Sequence, residues 1–226
     1  MTTNDILNQV IKLSNPKYAG ALNGATKISD KVYAVGLTKL RTIARAAKRD
    51  HERALELWNS GVHEGKLLAT LTEEPQKVTS TQLDKQVKEI HTFELADYFA
   101  KNVVAKTAFL LEKANEWTAM GQPEFVRRVG YACVCILAKS SKTLDNNYFV
   151  KHLTIIELEI QNASNWVKEG QNYALIAIGC RNQALNTEAL KVADTIGIIT
   201  VDYSNTSCKT TDAFKILSSE KIQQRL

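Results

Sequence analysis

The stretch His91-Thr92-Phe93-Glu94-Leu95-Ala96-Asp97 places an aromatic ring and a carboxylate four residues apart. On a helix, Phe93 and Asp97 project from one face, one turn above the other. A carboxylate beside an aromatic face can stabilise positive charge that develops on a bound molecule. The same spacing also suits an ordinary amphipathic helix, with Phe93 in the core and Asp97 in water. A second candidate feature is the row Arg41, Arg45 and Arg49. Stepping by four, these form a basic ridge, which is either a solvated surface or a set of cations tracking phosphates.

Other chemistry is poorly supported. His63 and Glu64 are adjacent and diverge on a helix, and no second histidine stands four residues away as a helical zinc site needs. Cys133 and Cys135 alternate in an apolar helical run and suit neither a disulfide nor a shared metal. With Cys180 and Cys208 they read as reduced thiols, and Cys208 beside Lys209 reads as inert rather than activated. No metal and no cofactor is expected.

Helices must position these residues. Only ten Gly and three Pro occur in 226 residues, so the chain has few obligatory breaks and favours helix. The periodicity predicts a first helix to Leu13, capped by Thr3 or Asn4 and stopped at Asn15-Pro16, then a turn at Asn23-Gly24. Helix is predicted again from Asp30, burying Val32, Val35, Leu37, Leu40, Ile43, Ala44 and Ala47. A pair follows over 51–60 and 62–72, hinged at Gly61 and ended by Pro75. Further helices are predicted near 104–119, 123–139, 146–161, 164–180, 184–197 and 210–219. The β-branched run 196–201 is read as a helix end entering a loop. The polar segment 203–212 is read as a structured loop, with Thr210 or Thr211 capping the last helix. The rhythm of one helix pair per 35–45 residues or so suggests a single all-α domain over 1–226, a bundle or a solenoid of stacked pairs in the HEAT-like or armadillo-like range, and a right-handed superhelical solenoid is the form expected.

Lys and Arg exceed Asp and Glu by 29 − 24 = 5, a mild excess compatible with a phosphate-bearing partner. The N-terminus has no basic region followed by an apolar one, and no apolar run reaches membrane-spanning length. A cytoplasmic protein with no membrane partner is expected.

Several phrases resemble the AlkD family of bacterial DNA alkylation-repair glycosylases. They are Leu40-Arg41-Thr42-Ile43-Ala44, Leu57-Trp58-Asn59-Ser60-Gly61-Val62-His63-Glu64, and Phe93 to Asp97. Glu124-Phe125-Val126-Arg127-Arg128, Trp166 to Leu175, and Ile178-Gly179-Cys180-Arg181-Asn182 complete the ordered set, which covers roughly residues 35–190. The resemblance implies a monomeric, bacterial protein that binds double-stranded DNA and releases positively charged N3- and N7-alkylated purines. It implies that Asp97 is the catalytic carboxylate, that Phe93, Tyr173 and Trp166 contact the sugar, and that Arg41, Arg45, Arg127, Arg128, Lys168 and Arg181 bind DNA. Glu64 becomes part of the DNA-facing surface or a structural partner for an arginine. Phe93 and Tyr173 stand where the family has Trp, and Ile176 where it has Arg. These departures imply reduced or altered activity, with a DNA-binding relative lacking catalysis, or a protein-interaction solenoid, as the alternatives.

Overall fold

A computed structural model describes residues 1–15, 29–203 and 208–226. Pro16, the Asn23-Gly24 turn and positions 204–207 of the polar loop lie outside the described residues. The chain forms two compact units, Met1–Phe109 and Leu110–Leu226. Among the described residues the regular structure is helical, with one isolated parallel bridge between Lys31 and Val62.

The first unit contains α1 (Thr3–Lys12), α2 (Leu37–Ala47), α3 (His51–Trp58), α4 (His63–Thr72), α5 (Ser80–Val87) and α6 (Phe93–Asn102), then a 3-10 turn at Val104–Lys106. The second contains α7 (Leu110–Thr118), α8 (Glu124–Ser140), α9 (Asn146–Glu159), α10 (Asn165–Gly179), α11 (Gln183–Ile196), α12 (Ala213–Leu217) and α13 (Glu220–Gln223). Alternate helices stack: α2 on α4 and α4 on α6 in the first unit, α8 on α10 and α9 on α11 in the second. Consecutive helices also pair, as α3 does with α4 and α7 with α8. This is the layered arrangement of helix-pair repeats, in which each pair buries its apolar face against its neighbours.

Stacking on several sides explains why α4 and α10 are buried along most of their length. A helix so enclosed must satisfy any polar side chain it carries. On α4, Glu64 is 2% exposed and accepts hydrogen bonds from the backbone N–H groups of Tyr33 and Val35. Lys66 pairs with Asp30 at 2.7 Å. On α10, the Gln171 amide donates to the Tyr131 hydroxyl at 2.9 Å, and the Asn172 amide to the Thr211 carbonyl at 2.8 Å.

Several boundaries differ from expectation. Residues 31–36 are not helical: Glu64 takes the N–H groups on either side of Ala34, whose φ is +55°. Val32 and Val35 are still buried. That role also fixes Glu64 as an internal clamp rather than part of a DNA-facing surface or an arginine's partner. The cap of α1 is Thr2, which forms a capping box with Asp5. The stretch 104–119 is broken into the 3-10 turn and α7, and 210–219 is helical only over α12, with α13 following it. Asp212 caps α12 through Lys215 N, while Thr210 Oγ1 accepts from Val201 N. The hinge at Gly61 is present, with φ +69°, a conformation that costs glycine nothing. Residues 197–203 run without strand pairing after α11.

Candidate functional site

In the first unit the local sequence accounts for the orientation of α6. Thr92 caps it by accepting from Leu95 N at 3.2 Å. Leu95, Ala96, Phe99 and Ala100 face the core, and Phe99 lies 5.5 Å from Trp58, ring centre to ring centre. The opposite face therefore carries Phe93, which is 42% exposed, and Asp97, also exposed. Phe93 departs here from the core placement that its spacing allowed.

The basic ridge is tied to this helix. Arg41 on α2 donates from Nη2 to the Tyr98 hydroxyl at 2.6 Å, with its guanidinium 5.7 Å from that ring's centre. Tyr98 is the residue after Asp97. Arg41 and Arg45 are both exposed, and with Lys48 and Arg49 they line an open cleft of about 340 Å³ whose remaining wall is Ala44 and Leu71. Burial, then the like charges of Arg49 and Lys101, holds the Lys106 ammonium below its ordinary value. The first unit thus brings together an exposed carboxylate, an exposed ring and a concentration of cations. Tyr98 was missed in the sequence because it falls on neither the apolar nor the Arg41-Arg45-Arg49 periodicity.

The second unit treats its predicted residues differently. Arg128 is 2% exposed, with Nη1 2.7 Å from Glu169 Oε2 and the guanidinium 5.7 Å from the centre of the Tyr173 ring. Arg127 pairs with Glu159 and its Nε donates to the Thr118 carbonyl at 3.3 Å. Arg181 donates to the carbonyls of Ala138, Ser141 and Leu144 and lies over Phe149. These three guanidinium groups hold the protein together, Arg181 by closing the C-terminal end of α8. The reason is shared: each is enclosed by a neighbouring helix, and an enclosed cation must have partners. Lys168 is half-exposed on α10.

Trp166 and Tyr173 remain near the surface. Trp166 stacks on Phe125 at 6.5 Å and meets Tyr203 edge-on at 6.1 Å, while its backbone N–H donates to Glu124. Tyr173 is 40% exposed. Burial and the Glu169 charge push its phenol up, with Arg128 opposing. Burial, with Glu169 as hydrogen-bond partner, also raises Tyr203. Glu169 and Tyr203 carried no sequence signal, since their neighbours lie 41 and 37 positions away (169 − 128 and 203 − 166).

Among the described residues no three His, Cys, Asp or Glu side chains group as a metal site requires. Among the same residues, no helix is long and apolar enough to cross a membrane.

Comparison with known proteins adds to this geometry. The chain is 26% identical over 199 residues to the protein Lin0241 of Listeria innocua, covering 86% of this chain and 85% of that one. It is 24% identical over 198 residues to Lmo0209 of Listeria monocytogenes, covering 86% and 84%. A solved structure matches with a TM-score of 0.86 at 19% identity, over 100% of this chain and 96% of the other. It is described as a new family of proteins related to the HEAT-like repeat DNA glycosylases, with affinity for branched DNA structures. At that identity the match establishes the all-α, HEAT-like repeat fold. The family model for the DNA alkylation repair enzyme matches residues 6–216, and the chain belongs to that family.

Proposed function

We propose that the protein binds duplex DNA and excises positively charged N3- and N7-alkylated purines, with Asp97 as the carboxylate that makes excision possible. The observation that carries this reading is the exposed Phe93–Asp97 pair on α6, linked through Arg41 and Tyr98 to a basic ridge. An alkylated purine cation is already a good leaving group, so it needs no proton from the protein. As the bond to the sugar breaks, the electron pair leaves with the base and positive charge grows on the anomeric carbon. A carboxylate fixed on a helix stabilises that charge and orients water, whose hydroxyl adds to the carbon while its proton is released. Arg41 and Arg45 supply the phosphate contacts that hold the duplex. The phenyl face of Phe93 contributes less cation attraction than indole would, so excision is expected to be slow.

Single-turnover release of alkylpurine from methylated duplex tests the reading. Native protein is expected to release base and Asp97→Asn to lose release by at least 100-fold while keeping duplex affinity. Equal rates for the two would remove Asp97 from the chemistry.

One observation favours a second reading, DNA binding without excision. The Tyr173 ring already has the chain's own Arg128 guanidinium beside it, so it is poorly placed to attract a second cation. The described affinity of the structural relative for branched DNA suits this alternative, which predicts binding to duplexes and junctions with no base released by either protein.

A further inference from the structure

We infer that the cleft at the C-terminal end of α2, walled by Arg41, Arg45, Lys48 and Arg49, is a seat for the terminal phosphate monoester of a DNA strand end. The inference rests on the DNA-binding reading above but not on catalysis by Asp97. Four cations open onto about 340 Å³, and no carboxylate among the described residues lines that space.

Cations at a helix C-terminus ordinarily complement the negative end of the helix dipole. That task is already taken here. Arg53 donates from Nη2 to the Ala47 and Lys48 carbonyls at 2.8 and 3.0 Å. Arg49 uses one nitrogen on the Glu73 carbonyl, which leaves the cleft with more positive charge than the helix end requires.

Lys48 supplies an independent observation. Its backbone has φ +63° and ψ 179°, a region that is essentially glycine's. A lysine kept at such a position is strained, and its side chain lines the cationic cleft. A glycine there would relieve the strain and remove a charge, so fold and binding make opposite demands on this residue.

The charge density selects the ligand. A backbone diester carries one negative charge and continues in both directions. A terminal monoester carries about 1.5 to 2 negative charges at neutral pH. It has chain on one side only, so it can enter a concave site that a continuous strand passes over.

The test compares affinities for blunt duplexes that differ only in a 5′-phosphate or a 5′-hydroxyl. Native protein is expected to prefer the phosphorylated end by about tenfold. Lys48→Gly and Arg45→Gln should both bring that preference near parity, with the thermal midpoint of Lys48→Gly unchanged or raised. Equal affinity of the native protein for the two duplexes overturns the inference and leaves DNA binding intact. A junction with hydroxyl ends that binds as tightly as the phosphorylated duplex also overturns it, in favour of converging backbones. If no DNA binds, the function proposed above falls, and inorganic phosphate decides the cleft. Shifts in the Arg45 and Lys48 amide signals would sustain a phosphate seat, and unmoved signals at millimolar phosphate would end it.

Discussion

His152 makes the stability of the second unit depend on pH in a way that can be calculated. It lies on α9, is 6% exposed, and meets the Tyr148 ring edge-on at 4.9 Å. Burial, with no anion offsetting it, lowers its pKa from 6.5 to about 4. The neutral ring is the folded form. Between those two values the unfolded chain binds a proton that the folded chain does not, so acidification favours unfolding. The contribution is complete above pH 6.5 and is lost as pH falls through about 4. A tenfold change in proton affinity is worth 1.36 kcal/mol, so the full loss is about 3 kcal/mol, of which about 2 kcal/mol is gone by pH 5. Urea unfolding at pH 7, 6, 5 and 4 should therefore show native protein falling faster than His152→Leu, which cannot titrate. Differencing the two curves removes every other titrating group. Parallel curves, or an imidazole resonance titrating near 6.5, would refute the assignment.

Two further changes probe the same unit. Glu169→Gln removes the carboxylate that stands 2.7 Å from buried Arg128, and breaking such a pair typically costs about 3–5 kcal/mol; thermal unfolding would show it, and a shift under 1 °C would count against the pair. Gly179 on α10 has no room for a side chain, since a Cβ there would stand 2.6 Å from Leu217 Cδ2 and 2.7 Å from Ala189 Cβ. Gly179→Ala should cost about 1–3 kcal/mol and loosen α12, read as faster amide exchange at residues 213–217; unchanged exchange there would contradict the packing.

Much of this protein was legible before any coordinates. Few Gly and Pro, 3.6-residue periodicity and cap residues were enough to expect a stack of helix pairs, because these are local properties of the chain. Phe93 and Asp97 on one helical face, and Arg41 above Arg45 on another, follow from the same local geometry. What a side chain meets across a helix interface is not local. Arg127, Arg128 and Arg181 read as cations for a ligand, and tertiary packing encloses them beside Glu159, Glu169 and three carbonyls. Glu64 was similarly reassigned by two N–H groups some thirty residues away. Sequence spacing thus determined which faces each helix has. Only the stacking of one helix on another decided which of those faces stay in water, because an arginine or a glutamate is equally at home on a surface and, once partnered, inside.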